Sequence, residues 1–202
     1  MKDKIVIITG ASSGIGKATA LYFAQKGAKV VMAARSYDKL SRIEEQIKAF
    51  NSNVISVETD VSKQEDCQKL IDAAVGAFNG IDVLINNAGI SMRALFKDTD
   101  LSVLENIMKV NFWGAVYCTK FALPHLLKSR GSVVGVSSVA GYVGLPARTG
   151  YSASKSAMHG FLEALRTENL EKGLHVLIAC PGFTNSNIRS TALTADGSMQ
   201  GE

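Results

Sequence analysis

The sequence predicts a doubly wound α/β fold, in which helices cover both faces of a parallel sheet. Six short runs rich in β-branched residues alternate along the chain with longer stretches of helical period. Most of these runs are apolar at every position, which is typical of strands that are buried on both faces of a parallel sheet. The regular alternation of strand and helix implies right-handed crossovers between the strands.

Local hydrophobic patterns predict the individual strands and helices. The strands cover residues 5–8, 29–32, 54–57, 83–85, 132–136 and 175–178. Apolar residues three or four positions apart predict amphipathic helices, one through Leu40, Ile43, Ile47 and Phe50 and another through Leu70, Ile71, Ala74, Val75 and Phe78. Residues 62–65, Ser-Lys-Gln-Glu, match a capping box at the start of the second of these helices.

Composition indicates one globular domain without a nucleic-acid partner. Of the 202 residues, 47% are hydrophobic and 20% are charged, which suits one large core, and no linker or repeat divides residues 1–183. Residues 184–202 lose their periodicity and are expected to form a loop or tail. The net charge is only +4, and the basic residues are scattered rather than clustered.

The cysteines and the N-terminus favour a cytoplasmic protein without a membrane partner. Cys67, Cys118 and Cys180 lie far apart in the sequence among apolar neighbours, which predicts buried free thiols rather than disulfides or a metal site. The first apolar run, residues 5–8, is too short for a signal peptide or a membrane span.

A glycine-rich turn follows the first strand directly. Gly10, Gly14 and Gly16 lie in the run Thr-Gly-Ala-Ser-Ser-Gly-Ile-Gly, residues 9–16, which then opens a helix. Glycine permits the sharp bend and a close approach of phosphates, while the helix N-terminus offers free N–H groups and a positive dipole end. The pattern predicts a dinucleotide site, although a tight connection without a ligand would also need glycine.

Polar residues at the ends of the next three strands predict further cofactor contacts. Arg35 occupies the place where enzymes that prefer NAD carry an acidic residue, so it favours NADP through the 2′-phosphate; a solvated arginine is the alternative. Asp60 is expected either to accept from the adenine amino group or to cap a helix. Asn87 and Gly89 either contact the cofactor closely or form only a turn.

Tyr151 and Lys155 lie one helical turn apart near the start of a predicted helix. This spacing places the phenol and the ammonium on one face, where the lysine is expected to lower the tyrosine pKa from about 10 towards working pH. Such a phenol can pass a proton to a carbonyl that is being reduced. Ser138, just after the fifth strand, is expected to bind the same oxygen, unless it is an ordinary turn residue.

Together, five motifs resemble the short-chain dehydrogenase/reductase family. They are Thr9-Gly10-x-x-x-Gly14-x-Gly16, Asn86-Asn87-Ala88-Gly89, Ser138, Tyr151-x-x-x-Lys155 and Pro181-Gly182, in the family's order and spacing across nearly the whole chain. The resemblance implies a Rossmann-like sheet with strand order 3-2-1-4-5-6. It also implies an oxidoreductase that transfers a hydride between NADP(H), or NAD(H), and a ketone or secondary alcohol.

The resemblance assigns a role to each matching residue. Tyr151 is implied to be the catalytic acid/base, Lys155 to hold the nicotinamide ribose and tune the tyrosine, and Ser138 to position the carbonyl. Asn111 matches a position that supports a water relay to the lysine. The implied cofactor contacts are Gly10, Ser12, Ser13, Gly14, Ile15 and Gly16 at the pyrophosphate, Arg35, followed by Ser36, at the 2′-phosphate, Asp60 and Val61 at the adenine, Asn87 with Ala88 and Gly89 at the adjoining ribose, and Pro181, Gly182, Thr184 and Ser186 at the carboxamide.

The sequence departs from the family pattern at its end. Members continue with a substrate-covering segment and a seventh strand, whereas this sequence reaches only Glu202. Residues 184–202 would begin that segment, and the sixth strand would keep an open edge. We therefore expect either a fragment of a longer protein or a partner that covers the edge. The resemblance also implies a homodimer or homotetramer formed through the helices that contain Asn111 and Tyr151.

Several interpretations stay open at this point. His159, one turn after Lys155, is either a proton shuttle or, as we favour, a helix-surface or subunit-contact residue. A noncatalytic NADP(H)-binding regulator is the alternative function, and a tuned phenol argues against it. A nucleotide-sugar epimerase would need a large C-terminal domain. The candidate walls of a substrate pocket, any of which can instead be core, are Met92, Phe96, Trp113, Tyr142, Leu145 and Phe183.

Overall fold

Six parallel strands form one sheet in the computed structural model, which describes residues 1–182, 184 and 186–201. The strands are β1 (Ile5–Thr9), β2 (Lys29–Ala34), β3 (Val54–Glu58), β4 (Val83–Asn86), β5 (Ser132–Val136) and β6 (His175–Ala179). Their order is β3-β2-β1-β4-β5-β6, and every neighbouring pair is parallel. The predicted fold class and strand order are confirmed. The pocket-wall hypothesis for Phe183, and the domain boundary expected there, lie outside the described residues.

The central strand β1 shows why this fold requires apolar strands. Ile7 is in register with Val31 of β2 and Leu84 of β4, and all five residues of β1 are buried. Successive side chains of a strand point to opposite faces. Ile7 therefore packs into one hydrophobic core, whereas Val6 and Ile8 pack into a second core on the other face.

Helices cover both faces of the sheet. On one face Leu70, Leu126 and Leu162 are buried against the sheet, and on the other face Ala20 and Leu40 are buried in the same way. No helix in the described part of the chain combines the length and the apolar character needed to cross a bilayer. The helices are α1 (Gly14–Gln25), α2 (Tyr37–Lys48), α3 (Gln64–Phe78), α4 (Leu101–Met108), α5 (Gly114–Ser129) and α6 (Thr149–Glu168), with a π-helical turn at Lys109–Trp113 joining α4 to α5.

Two local predictions are wrong. The predicted capping box does not form, because Lys63 is the N-cap of α3 and Ser62 Oγ instead donates to Asp60 Oδ1 at 2.7 Å. The Ser62 N–H also donates to Asp60 Oδ1, at 3.0 Å, and a charged acceptor makes both bonds strong, so the serine closes a turn with Asp60. Phe50 does not extend the apolar face of α2, since that helix ends at Lys48 and Phe50 is 49% exposed.

All three cysteines are free, and two of them meet in the core. Cys67 on α3 and Cys118 on α5 are both fully buried. A hydrogen bond with Cys67 and burial together raise the pKa of the Cys118 thiol well above its usual range. Cys180 is only half-buried.

The edge strand β6 and the segment that follows it differ in how they are held. Within the described residues β6 pairs with β5 alone, so its other edge is open as predicted, and Leu177 of β6 is 57% exposed. Residues 186–201 contain no helix or extended strand. This segment is nevertheless attached to the loop after β4, because the Leu193 N–H donates to the Ser91 carbonyl and Leu193 accepts from the Arg93 N–H, both at 2.8 Å.

Close packing of α1 on the turn after β1 generates a stability prediction for Gly16. A Cβ added at Gly16 would overlap the Gly10 carbonyl oxygen and would lie 2.6 Å from Asn87 Nδ2. Because this clash involves backbone, we expect Gly16→Ala to lower the free energy of unfolding by about 1–3 kcal/mol, measured by urea denaturation.

Gly76→Ala is the matched control. Gly76 is exposed in α3, and an added Cβ there meets no atom within 4 Å, so this substitution should stabilise the protein by about 0.5–1 kcal/mol. If the two variants had the same stability, the tight packing of α1 on the turn would be contradicted.

Candidate active site

A cleft of about 1090 Å³ opens where β1, β2, β3 and β4 end. Carboxyl ends of parallel strands meet at one edge of the sheet, so residues that are distant in sequence converge there. The sequence-predicted residues that line the cleft are Gly10, Ser12, Ser13, Gly14, Ile15, Arg35, Ser36, Asp60, Val61, Asn87, Ala88, Gly89 and Ser186.

Hydrogen bonds between β1 and β4 hold the glycine turn in place. Asn87 Nδ2 donates to the carbonyl oxygens of Thr9 and Gly10, at 2.9 and 3.2 Å. In return, Thr9 Oγ1 accepts from the backbone N–H groups of Asn87 and Ala88, each at 3.0 Å. Gly10 has a φ of +66°, and a Cβ there would lie 2.8 Å from the Ala88 Cα, so the turn requires glycine at this point.

The N-terminus of α1 faces the cleft and is suited to a phosphate. Its N-cap, Ser13, makes no side-chain capping bond, and the first turn contains no acidic residue. The N–H groups of this turn therefore have neither a capping side chain nor a nearby carboxylate to neutralise the positive end of the helix. Gly16, predicted as a pyrophosphate contact, does not line the cleft but packs behind the turn.

Charges of both signs line the far end of the cleft. Arg35 is exposed at the end of β2 and makes no salt bridge with any described residue. Lys39 lines the same end and supplies a second positive charge that the sequence analysis missed, although a lysine in the first turn of the helix that follows Arg35 was the available signal. The carboxylates that also line this end belong to Asp38, Glu58 and Asp60.

Tyr151, Lys155 and Ser138 come together next to Gly89, which lines the cleft, although none of the three lines the cleft itself. Lys155 Nζ lies 5.8 Å from the centroid of the Tyr151 ring, and both residues are buried. Lys155 Nζ donates to the Val136 carbonyl at the end of β5, at 2.8 Å. The Ser138 hydroxyl acts to lower the pKa of the Tyr151 phenol, and its Oγ accepts from the Ala140 N–H at 3.2 Å. The predicted shared face of α6 therefore exists, and β5 anchors it.

The expected effect of Lys155 on the Tyr151 pKa is wrong. Burial raises the Tyr151 pKa, and this outweighs the hydrogen bond to Ser138 and the charge of Arg148, which lower it. Burial also lowers the pKa of Lys155 to about 8. Both charged forms lose hydration in the same buried site, so the phenol holds its proton more firmly than in water.

Asn111 connects three segments from the π-helical turn. It is fully buried; its Oδ1 accepts from the Ile90 N–H at 2.8 Å, and its Nδ2 donates to the Ile90 carbonyl and to Ser154 Oγ, both at 2.9 Å. A Cβ added at Gly89 would lie 3.3 Å from Asn111 Oδ1 and 3.6 Å from Lys155 Nζ, so Gly89 lies between the two side chains. Asn111 thereby ties the loop after β4 to α6.

His159 packs against its own chain rather than presenting a helix surface. Its Nε2 lies 2.6 Å from Ser137 Oγ, and its ring centroid lies 4.4 Å from that of Tyr142. Burial and then the charge of Lys155 lower the His159 pKa, which favours the neutral imidazole. The ring therefore supports the loop that carries Ser138.

The remaining predicted residues are dispersed. Thr184 is exposed and donates to the Gly182 carbonyl at 3.1 Å, and neither these two residues nor Pro181 lines the cleft. Among the candidate pocket walls, Met92 is fully buried in a core, whereas Phe96, Trp113, Tyr142 and Leu145 are exposed.

Arg148, which the sequence analysis missed, lies beside the catalytic candidates. Its charge acts on the Tyr151 phenol, and its Nη1 donates to Ser91 Oγ at 2.8 Å. A cation three residues before the tyrosine was the signal in the sequence, because such a residue lies one turn away at the start of the helix.

Known proteins are similar to this chain in sequence and in fold. Residues 4–196 match the model of the short chain dehydrogenase family. The chain is 44% identical over 187 residues to 11-beta-hydroxysteroid dehydrogenase-like 2 of Arabidopsis thaliana, covering 92% of this chain and 60% of that protein. It is also 44% identical over 199 residues to 11-beta-hydroxysteroid dehydrogenase A of Arachis hypogaea, covering 97% of this chain and 57% of that protein. It thus spans less than two thirds of each plant relative.

Solved structures agree in fold. A short chain dehydrogenase/reductase from Burkholderia phymatum, in complex with NAD, superposes with a TM-score of 0.89 at 31% identity, covering 93% of this chain and 68% of that one. A short-chain dehydrogenase/reductase of unknown function from Caenorhabditis elegans, with cofactor, gives 0.86 at 31% identity, covering 92% and 72%. With a family match along almost its whole length, the chain belongs to the short-chain dehydrogenase family.

Proposed function

We propose that this protein is an NADP(H)-dependent oxidoreductase that transfers a hydride between nicotinamide and a ketone or secondary alcohol. The observation that carries the proposal is the grouping of the buried Tyr151 and Lys155 with the half-buried Ser138, next to Gly89 of the cleft. Membership of the family supports it, and so do the names of the plant relatives, which are hydroxysteroid dehydrogenases.

Tyr151 is the proposed proton donor. Because burial raises its pKa, the phenol keeps its proton at neutral pH and can give it to a carbonyl oxygen in the reducing direction. Ser138, whose hydroxyl acts on the phenol, would hold the same oxygen. A bound nicotinamide would supply the hydride for the carbonyl carbon.

Lys155 and Asn111 are the proposed supporting residues. With a pKa of about 8, Lys155 exchanges a proton close to neutral pH and can restore the proton of Tyr151. Asn111 keeps the loop after β4 in place, and its Oδ1 has a second lone pair that can accept from a water near Lys155.

The cleft residues are the proposed cofactor site. The uncapped N-terminus of α1 would bind the pyrophosphate, Asp60 and Val61 the adenine, and Asn87 the adjoining ribose. Arg35 and Lys39 supply the positive charge that a 2′-phosphate requires, which favours NADP(H) over NAD(H).

Residues 184–202 are the proposed start of a substrate-covering segment, which follows a dinucleotide-binding and catalytic domain over residues 1–183. Ser186, Leu193 and Met199 support this assignment because they line the cleft.

A homodimer or homotetramer in the cytoplasm is the proposed assembly and location. Trp113, which is 44% exposed, stacks on Tyr117 with centroids 5.7 Å apart, and Phe112 packs edge-on against Phe161 of α6. Exposed aromatic surface of this kind is enriched at subunit interfaces. The free thiols support a reducing compartment.

Tyr151→Phe tests the catalytic role. We expect NADPH binding, measured by fluorescence titration, to change little, while reduction of ketones and aldehydes falls by at least about 100-fold, because only the proton donor is removed. Tyr22→Phe is the control, since Tyr22 is 55% exposed on α1. Unchanged turnover in Tyr151→Phe would refute the role. Tight NADPH binding without turnover of any substrate by the unaltered protein would favour a noncatalytic regulator.

Arg35→Glu tests the cofactor preference. We expect the Kd for NADPH to rise about 10- to 100-fold, since a hydrogen-bonded charge contributes about 1.5–3 kcal/mol, and the Kd for NADH to change far less. Arg42→Glu makes the same charge change on α2 outside the cleft and should leave both constants near their original values. Equal weakening of both cofactors by Arg35→Glu would contradict a 2′-phosphate contact.

A further inference from the structure

Arg148 places a positive charge at the start of α6. Arg148 immediately precedes α6 and is only partly exposed. Its charge is felt by the Tyr151 phenol, and its Nη1 donates to Ser91 Oγ at 2.8 Å. The guanidinium therefore contacts the loop that follows β4, one turn of α6 before the proposed proton donor.

Arg148 has no carboxylate partner among the described residues. The salt bridges of this part of the chain involve Lys4, Lys48, Lys69 and Arg166, and the only side-chain hydrogen bond of Arg148 is the one to Ser91. A guanidinium carries five N–H donors, so four remain for another acceptor. Withdrawing a charge from water without a counter-charge costs free energy, and an anionic ligand would offset that cost.

Ser91 adds a second polar group at the same place. It is 1% exposed, and its carbonyl accepts from the Leu193 N–H, which fixes the residue between the loop after β4 and residues 186–201. Its hydroxyl accepts from Arg148 Nη1 and so fixes the orientation of the guanidinium. A planar fork of N–H groups held in this way matches the two oxygens of a carboxylate.

We propose that Arg148, assisted by Ser91, binds a carboxylate of the substrate, so that the enzyme acts on oxo acids and hydroxy acids in preference to neutral ketones and alcohols. This inference rests on the proposed oxidoreductase function and specifies its substrate class. The carboxylate lies on the Arg148 side of Tyr151, within a few bonds of the carbonyl that Tyr151 protonates. Arg148 is thus a specificity-determining residue.

The test compares each acid with its own methyl ester. Short 2-oxo and 3-oxo acids and their methyl esters are reduced with NADPH, and kcat/KM is measured for every pair. We expect the acids to exceed the esters by about 10-fold or more, because a charge-assisted bidentate contact contributes on that scale. In Arg148→Gln the acid-to-ester ratio should fall to about 1, and in Arg148→Lys it should be intermediate. The ratio cancels any change that the lost charge causes at Tyr151.

Arg93→Gln is the matched control, because Arg93 is an exposed cation two residues after Ser91. Its acid-to-ester ratio should stay close to that of the unaltered protein, which excludes general attraction of anions to this rim. Ser91→Ala is a second variant that keeps the cation, and it should lower the ratio by a smaller factor. Thermal melts of all variants identify any that fail to fold, and Ser91→Ala then decides the outcome.

Three results would overturn the inference. The first is turnover of esters and acids at equal rates by the unaltered protein. The second is an equal loss for acid and ester in Arg148→Gln, which would show a role confined to Tyr151 or to folding. If neither class is reduced, the proposed function is refuted but the inference is not, and the third result is then a binding measurement. Calorimetric titration of the NADPH-loaded protein with acid and ester then decides the inference separately, and equal affinities in that titration would overturn it.

Discussion

Burial of two ionisable side chains on one face of α6 is the constraint on which the candidate site depends. Tyr151 and Lys155 are both almost fully removed from water, and each charged form is therefore penalised. Lys155 Nζ has a hydrogen-bond partner in the Val136 carbonyl, which helps to offset its burial, and the Ser138 hydroxyl acts to lower the pKa of the phenol. The result is a phenol that holds its proton and an amine that titrates near pH 8.

The surrounding segments hold this pair in position from two sides. Asn111, at the π-helical turn, bonds to both backbone groups of Ile90 and to Ser154 of α6, so the loop after β4 cannot shift without losing buried hydrogen bonds. His159 supports the loop that carries Ser138 from the opposite side. The phenol and the amine on α6 and the Ser138 hydroxyl on the loop after β5 thus rest on two elements, which are linked by the side-chain contact of His159 with Ser137.

The two ends of the cleft have different electrostatic character. At the α1 end the positive pole of a helix is left without a capping side chain, which suits an anion of any source. At the β2 and β3 ends, Arg35 and Lys39 share the surface with three carboxylates. The preference for one dinucleotide over the other therefore depends on a balance of charges rather than on Arg35 alone. The outer edge of β6 is not part of this balance of charges; no described residue pairs with it.

The sequence alone determined the parallel sheet, the strand order implied by the family resemblance, and the gathering of Gly10, Arg35, Asp60 and Asn87 at one edge. These follow from local patterns: apolar runs become strands, and polar residues that end parallel strands meet at one edge. Only the tertiary structure decided the direction of the Tyr151 pKa shift, the contact of Cys67 with Cys118, and the bond of Arg148 to Ser91. Each of these depends on how much water is removed from a group and on which partner competes for it, quantities that arise when segments from different parts of the chain pack together.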